Sequence, residues 1–304
     1  MEKSSKKLTF TVGITTCYGE NFILDTVRSI RDSKGVGNFP FIIIADNIPI
    51  NPWLKKHLRK YDVELIENKV RSGQIRKKKQ ILDRCKTDII IYIQDDVILE
   101  PDTISKIITS FRKNPDVTYI SIQNEPIKAT SLMEDVISIG TRIAYKTAKY
   151  WNNGENYLSV IGRCEAFRAD FAKKHFRFID KVVATDAFFY YENKKNGGKY
   201  KYLQDAKLYF KNPKTLKEHL RKSSKFQHSQ EEMLRYFNPD LLYYSIPMRA
   251  YLKALVEEFL ASPFKLSLFM LIYVYTRLTK IDSKKSLNSI WETDISTKKV
   301  ITTD

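Results

Sequence analysis

Short apolar runs rich in β-branched residues alternate with amphipathic stretches in the first half of the chain. Residues 89–93 are uniformly apolar and too short for a helix, which predicts a strand buried on both faces. Residues 8–15, 41–45 and 63–66 are typical of further strands, and the pattern over 21–32 predicts an amphipathic helix. Because strands and helices alternate, the sequence predicts an α/β fold with a mostly parallel sheet.

The second half of the chain continues this pattern and then changes character. Residues 187–196 predict a helix closed by two glycines, and residues 199–203 and 206–210 predict a hairpin-like pair of strands. Residues 241–259 and 264–277 predict two helices separated at Pro263. We therefore expect the chain to have two structurally different parts.

The first of these parts is an α/β domain over 1–230, and the second is a helical region with a polar tail over 231–304. The apolar centre of the last helix, residues 266–275, is too short to span a bilayer. Aromatic and basic residues over 241–280 favour a helix pair lying at a membrane surface. A hairpin packed on the α/β domain or on a second subunit is the alternative.

Charge and cysteine content narrow the class of partner and the compartment. The chain has 52 Lys and Arg against 35 Asp and Glu, a formal charge of +17, which favours an anionic partner: nucleotide phosphates, a membrane surface or nucleic acid. Cys17, Cys85 and Cys164 are odd in number and lack CxxC spacing, which favours a reducing compartment and argues against zinc. No signal peptide is evident, so we expect a cytoplasmic protein.

Acidic residues stand where the predicted strands end. Gln94, Asp95 and Asp96 follow the buried run 89–93, and Asp46 follows the strand at 41–45. Open α/β sheets bind ligands at the carboxyl ends of their strands, so a divalent cation with phosphate oxygens is one interpretation and a surface turn is the other. Neither GxGxxG nor GxxxxGK[ST] occurs, which argues against a dinucleotide oxidoreductase or a P-loop NTPase.

These features resemble the family 2 glycosyltransferases, which have the GT-A fold, over roughly residues 8–226. The resemblance lies in a polar loop after the first strand, an Asp ending the second, a glycine and basic segment, and a DxD-like motif after the buried strand. Gln94 replaces the first acidic residue of that motif, whereas Asp96 retains the last. By this resemblance Asp96 would bind Mg²⁺ or Mn²⁺. The donor nucleotide would contact Thr15, Cys17, Glu20, Asp46, Gly73, Arg76, Gln94 and Asp95.

A second acidic position and a basic segment complete the resemblance. Asp186 stands where the family places its general base, and it also precedes the helix predicted over 187–196, so it could act as a helix cap. Lys222 and Lys225 stand where larger members of the family carry QxxRW, and they could hold a diphosphate. A solvated basic face is the alternative for these lysines.

The resemblance implies an inverting glycosyltransferase of the hexosyl or N-acetylhexosaminyl class. The donor would be a nucleoside-diphosphate sugar and the acceptor a glycan or a polyprenyl-linked molecule, with the protein on the cytoplasmic face of the membrane. Two other classes stay open. Loss of the first DxD acid fits a catalytically impaired, membrane-associated scaffold, and the basic cluster over 69–79 fits a nucleic-acid-binding protein, although acidic strand ends make nucleic acid a poor partner.

Overall fold

The computed structural model describes residues 8–17, 21–46, 49–242, 245–279 and 295–298. The strands within these residues are Phe10–Thr16 (β1), Phe41–Asp46 (β2), Glu64–Asn68 (β3), Ile89–Gln94 (β4), Val97–Leu99 (β5), Val117–Pro126 (β6), Cys164–Arg168 (β7) and Lys199–Phe210 (β8). The helices are Ile23–Arg31 (α1), Pro52–Arg59 (α2), Gln74–Arg84 (α3), Thr103–Lys113 (α4), Leu132–Tyr150 (α5), Ala169–His175 (α6), Thr185–Lys195 (α7), Leu216–Met233 (α8), Met248–Ala261 (α9) and Pro263–Leu278 (α10). Short 3₁₀ turns occur at Asn152–Gly154, Tyr157–Ser159, Pro239–Leu241 and Ile295–Lys298.

In the part of the chain that the structure describes, the strands form one eight-stranded sheet in the order β3-β2-β1-β4-β7-β6-β8-β5. Strands β3, β2, β1 and β4 run parallel to one another, and β6 and β8 share that direction, whereas β7 and β5 are antiparallel to their neighbours. The predicted mostly parallel α/β fold is confirmed. The carboxyl ends of β1, β2, β4, β6 and β8 therefore lie on one side of the sheet, which we call the carboxyl edge.

The alternating contacts of β4 explain why its sequence is apolar throughout. Ile89, Ile91 and Ile93 pack in the core on one face of the sheet, with α1, α2 and α4. Ile90 and Tyr92 pack in a second core on the other face, with α3, α6 and α7. A strand covered on both faces has no position for an exposed polar side chain until it ends, which places the first polar residues of this segment at the carboxyl edge.

The hairpin predicted over 199–210 is wrong. Residues 199–210 form the single strand β8, which pairs with β6 along almost its full length. The register shifts after Leu203, which pairs with Ile122, to Lys207, which pairs with Gln123. The intervening residues 204–206 form a bulge, so polar residues typical of a turn are accommodated without reversing the chain.

The two C-terminal helices predicted from the sequence are present, with α9 starting at Met248, and they pack against α5. Phe269 of α10 lies so close to Gly140 of α5 that a Cβ on the glycine would come within 2.3 Å of the ring. Arg142 and Lys146 of α5 pair with Glu258 of α9 at 3.0 and 2.8 Å. The boundary at residue 230 stays a prediction. Within the residues described, no helix combines the length and the hydropathy needed to cross a bilayer.

Candidate active site

The acidic residues after β4 lie in a tight turn that leads into β5 and is held by α1. Thr26 Oγ donates a 3.0 Å hydrogen bond to the Asp95 carbonyl and accepts one of 3.2 Å from the Val97 amide. Thr26 is itself buried. These two hydrogen bonds from α1 fix the backbone of the turn, so the carboxylates of Asp95 and Asp96 are held at the carboxyl edge.

A lysine from the far end of the chain lies between these two carboxylates. Lys298 Nζ contacts Asp95 Oδ1 and lies 3.0 Å from Asp96 Oδ2. Burial lowers the pKa of Lys298, but the attraction of the two carboxylates outweighs it, so the pKa lies above its usual range. Asp95 also accepts a 2.6 Å hydrogen bond from Thr16 Oγ. The buried Oδ1 of Asp96 has no hydrogen-bond partner among the residues described.

Asp46, at the end of β2, is neutralised by a lysine of α3. Lys77 Nζ lies 2.6 Å from Asp46 Oδ1, and the other carboxylate oxygen accepts hydrogen bonds of 2.7 and 3.0 Å from the amide and hydroxyl of Ser72. Lys77 also donates to the Thr16 carbonyl at 2.9 Å. Both charged side chains are almost fully buried, so the pair ties the loop before α3 to the carboxyl edge.

The contacts of these residues join into one network across the ends of β2, β1 and β4. In order, its members are Ser72, Asp46, Lys77, Thr16, Asp95, Lys298 and Asp96. The sequence pointed to the three acidic members. It gave no sign of the two lysines as site residues, because Lys77 lies in a basic run typical of a solvated face and Lys298 in a polar tail.

The other predicted donor residues lie partly at the same edge. Thr15 pairs with Gln94 in the β1–β4 register, and Gly73 caps α3 with a φ of +83°, next to Ser72. Cys17 follows β1; burial raises the pKa of its thiol, opposed by the nearby Lys77. Glu20 lies outside the described residues. Arg76 instead forms an ion pair with Asp180 at an exposed position on the surface.

Two cations approach one aromatic ring beside the acidic turn. The Arg163 guanidinium lies 3.6 Å from the centre of the Phe210 ring, and Lys222 Nζ lies 5.6 Å from it. Phe210 pairs with Val97, which directly follows Asp96, in the β5–β8 register. The predicted diphosphate residue Lys222 therefore lies next to the acidic turn, whereas the side chain of Lys225 is outside the described part of the structure.

Asp186 lies in the first turn of α7. The prediction that it caps this helix is wrong in position, because the helix begins at Thr185 and its N-cap residue is Ala184. The Asp186 carboxylate instead accepts hydrogen bonds from the amides of Gly162 at 3.0 Å and Ala187 at 2.9 Å. A Cβ at position 162 would lie 3.4 Å from the Asp186 side chain, which is ordinary van der Waals contact, so the hydrogen bond does not itself require a glycine.

Asp186 is connected to the end of β4 through two consecutive residues. Gly162 holds its carboxylate, and the carbonyl of the next residue, Arg163, accepts a 2.9 Å hydrogen bond from the Gln94 amide. The predicted base and the acidic turn are therefore brought together at the carboxyl edge, although they are far apart in sequence. The sequence related Asp186 to the acidic turn only through a family resemblance, whereas the structure connects them by hydrogen bonds.

The start of α7 is held by a buried ion pair that the sequence did not indicate. Lys78 contacts Glu165 of β7, which also accepts a 2.8 Å hydrogen bond from the Tyr119 hydroxyl. Lys78 Nζ lies 3.4 Å from the hydroxyl of Thr185, the residue before Asp186. From the other side, Glu232 of α8 accepts the amides of residues 183 and 184 at 2.7 and 2.9 Å. These contacts fix the helix end that carries Asp186.

Residues 11–176 decide to which protein family the chain belongs. Over this range, which is more than half of the chain, the sequence matches the model of glycosyl transferase family 2. The chain belongs to glycosyl transferase family 2. The matched range of this glycosyltransferase contains Asp46, Asp95 and Asp96 but ends before Asp186. None of the curated proteins compared with the chain matches it.

Solved structures share the fold of this family 2 glycosyltransferase. The mannosyltransferase PcManGT from Pyrobaculum calidifontis, in complex with GDP-Man and Mn²⁺, is 14% identical with a TM-score of 0.56, over 93% of this chain and 79% of that one. TarS from S. aureus is 13% identical with a TM-score of 0.52, over 89% of this chain and 53% of that one. Its fragment 1–349 is 13% identical with a TM-score of 0.50, over 72% of this chain. The chain spans 64% of that fragment. These likenesses are to GT-A glycosyltransferases and confirm the predicted fold.

The acidic turn of the glycosyltransferase fits a divalent cation in part. Among the residues described, no cluster of three or more His, Cys, Asp or Glu side chains surrounds a common point. Asp95 and Asp96 supply two carboxylates, and the unpartnered Oδ1 of Asp96 offers a buried oxygen without competition. Two carboxylates supply part of the ligand set of a divalent cation, and the rest would come from a bound diphosphate and water. In this structure Lys298 lies between the two carboxylates.

Proposed function

We propose that this protein transfers a hexosyl or N-acetylhexosaminyl group, with inversion, from a nucleoside-diphosphate sugar to an acceptor hydroxyl. The supporting observation is the link from Asp186 through Gly162 and Arg163 to Gln94. It brings a candidate base to the carboxyl edge beside the acidic turn. A base on one side of the anomeric carbon and a diphosphate site on the other is the arrangement that inversion needs.

The donor half of the site lies over the ends of β1, β2 and β4. Thr15, Cys17, Gly73 and the buried Asp46 form the side that would receive the nucleoside, with Glu20 as a further predicted contact. Arg76, which pairs with Asp180 at the surface, is not part of this proposal. Arg163 and Lys222, whose cations both approach the Phe210 ring, would face the diphosphate next to Asp96. Asp96 with Asp95 would hold Mg²⁺ or Mn²⁺, which when bound neutralises the charge that develops on the leaving diphosphate.

In the proposed reaction, Asp186 takes up the proton and the nucleoside diphosphate is the leaving group. Asp186 accepts the proton of the acceptor hydroxyl while the acceptor oxygen forms a bond to the anomeric carbon. The bond from that carbon to the diphosphate oxygen breaks, and its electron pair leaves with the nucleoside diphosphate. The Gly162 amide orients the Asp186 carboxylate toward the acceptor throughout. A polyprenyl phosphate acceptor would arrive already ionised, so Asp186 would then contribute little.

Calorimetric binding of UDP, GDP and dTDP, with and without Mn²⁺, tests the donor site. We expect one nucleotide to bind in a Mn²⁺-dependent way to the wild type, and at least tenfold more weakly to Asp96→Ala. Asp102→Ala is the matched control, because Asp102 is an exposed acid paired with Lys106 at 2.8 Å. Absence of metal-dependent binding by every nucleotide would overturn the proposal.

The acceptor would reach the site at a membrane surface. Apolar side chains of α9 and α10 form exposed stripes at helical spacing, among them Leu252, Val256, Leu260, Leu271 and Leu278. Exposed basic residues Arg249, Lys253 and Arg277 accompany them, and the whole chain carries a charge of +17. This combination fits the anionic headgroups of a cytoplasmic leaflet, as expected for a lipid-linked acceptor.

Flotation with vesicles containing phosphatidylglycerol, compared with phosphatidylcholine alone, tests the surface. We expect binding only to the anionic vesicles, and at least tenfold weaker binding by the double variant Leu260→Glu/Leu278→Glu. Val70→Glu, at an exposed apolar position outside these helices, is the control. If the protein instead dimerises and the double variant makes it monomeric, a second copy covers this face and the membrane proposal fails.

A catalytically impaired scaffold of the same fold is the second candidate. It is favoured by the uncharged Gln94 in the DxD-like motif and by the ammonium of Lys298 between Asp95 and Asp96. The two candidates differ in turnover. Hydrolysis or transfer of the sugar from the nucleotide that binds, lost in Asp186→Asn, would exclude the scaffold.

A further inference from the structure

The segment Ile295–Lys298 lies against the carboxyl edge, where it contacts residues that are distant from it in sequence. Ser296 anchors it: its amide donates 3.1 Å to Glu218 Oε1 and its hydroxyl donates 2.6 Å to Glu218 Oε2. The Lys214 amide donates 3.2 Å to the same hydroxyl. Both partners lie on the chain between β8 and the first turn of α8, beside the strand end at Phe210. The segment is therefore fastened to the rim of the proposed donor site.

From this anchor, Lys298 reaches the acidic turn. Its ammonium contacts Asp95 and lies 3.0 Å from Asp96 Oδ2. It also lies 5.1 Å from the ring centre of Phe22, the residue before α1. The side chain is 14% exposed, so these contacts shield it from solvent. The ammonium compensates two carboxylates that would otherwise repel each other at a partly buried position.

The oxygens that Lys298 contacts are those that a divalent cation would use. A metal bound by Asp95 and Asp96 needs carboxylate oxygens at about 2.0–2.2 Å, and an ammonium between the same oxygens leaves no room for it. The two cations would also repel each other strongly at such a distance. Occupancy by Lys298 and occupancy by a metal are therefore mutually exclusive.

We propose that Ile295–Lys298 is an intramolecular plug that holds the acidic turn closed, with Lys298 in the place of the divalent cation, until metal and donor nucleotide together displace it. This inference rests on the proposed donor site. Metal alone has to compete with a tethered ammonium, whereas the nucleotide adds diphosphate ligands to the metal and favours the open state. The plug would lower the affinity of the acidic turn for free metal, and it would keep the turn covered until the donor nucleotide binds.

Mn²⁺ affinity, measured by electron paramagnetic resonance of free Mn²⁺, tests the plug without turnover. We expect Lys298→Ala to bind Mn²⁺ alone at least tenfold more tightly than the wild type, and Lys298→Arg to stay close to the wild type because it keeps the charge. Ser296→Ala, which loosens the anchor, should tighten Mn²⁺ binding by a smaller factor. Lys199→Ala is the matched control, since Lys199 pairs with the exposed Asp116 at the opposite end of β8.

The outcomes separate the plug from the donor site on which it rests. Equal, Asp96-dependent Mn²⁺ affinity in wild type and Lys298→Ala would overturn the plug and leave the donor site standing. Loss of nucleotide binding in Lys298→Ala would also overturn it, because Lys298 would then be a ligand of the donor. If Mn²⁺ binding in wild type and Lys298→Ala alike is unaffected by Asp96→Ala, the donor site itself fails.

Hydrogen exchange gives a second readout that does not depend on affinity. The Ser296 amide is hydrogen-bonded to Glu218 in the closed arrangement and should exchange slowly. We expect its exchange to accelerate at least tenfold when Mn²⁺ and the nucleotide are added together. Unchanged protection in the presence of both ligands would contradict displacement of the segment.

Discussion

The Asp186 carboxylate accepts a 3.0 Å hydrogen bond from the Gly162 amide. The bond fixes one carboxylate oxygen, and the Ala187 amide holds the other at 2.9 Å. The carboxylate of the proposed base is therefore oriented by two backbone amides rather than by other side chains. A variant that keeps an oxygen for Gly162 but loses the charge can separate orientation from proton transfer.

Asp186→Asn is that variant. Asparagine retains an oxygen acceptor for the Gly162 amide, loses the one for the Ala187 amide and cannot take a proton, so we expect kcat to fall about 10²- to 10⁴-fold with a hydroxyl acceptor. The KM for the donor should change little. Steady-state kinetics measures both. Retention of most of the activity would show that the acceptor is already ionised, as a polyprenyl phosphate is.

Lys77→Met removes one partner of the buried pair with Asp46. Because the Asp46 carboxylate would be left buried without its cation, we expect the free energy of unfolding to drop by about 3–5 kcal/mol. Urea denaturation measures it. Lys77→Met/Asp46→Asn should recover most of the loss, and Lys199→Ala, which breaks an exposed pair, should cost under about 1 kcal/mol. Equal losses in Lys77→Met and Lys199→Ala would contradict the burial of the pair.

Gly140→Ala probes the contact between α5 and α10. A Cβ at this position would lie 2.3 Å from the Phe269 ring, so the ring or the helix has to move, at a cost of about 1–3 kcal/mol. We expect a lower melting temperature and faster hydrogen exchange in Pro263–Leu278. Lys149→Ala, at an exposed position of α5, is the control and should leave both unchanged. A Gly140→Ala protein as stable as the wild type would refute the close approach.

His219 of α8 gives the protein an acid-sensitive stability. Burial, followed by repulsion from Lys222, lowers the pKa of His219 to about 4 from 6.5. Below pH 6.5 the unfolded chain binds a proton that the folded protein does not, so stability falls as the pH drops from 6.5 to 4. The full loss is about 3 kcal/mol. His219→Gln should flatten this part of the stability profile in urea denaturation at stepped pH, and an unchanged slope would contradict the assignment.

The sequence predicted the sheet because β4 and its neighbours are buried on both faces and their periodicity is strong. It also placed Asp46, Asp95 and Asp96 together, since the carboxyl ends of parallel strands share an edge. It could not show that Lys77 and Lys78 are buried, because a basic run looks the same whether its charges face water or buried carboxylates. The sequence also could not predict the contact of Lys298 with Asp95, because the two residues are 203 positions apart and no local pattern encodes that contact.

The consecutive lysines of α3 have a mechanical consequence. Side chains of adjacent helical residues diverge by about 100°, and here Lys77 reaches Asp46 while Lys78 reaches Glu165 and Thr185. One helix therefore contacts both the end of β2, at the proposed donor site, and the start of α7, which carries the proposed base. Any shift of α3 that accompanies nucleotide entry would be transmitted to the start of α7, so filling of the donor half and alignment of Asp186 would proceed in concert.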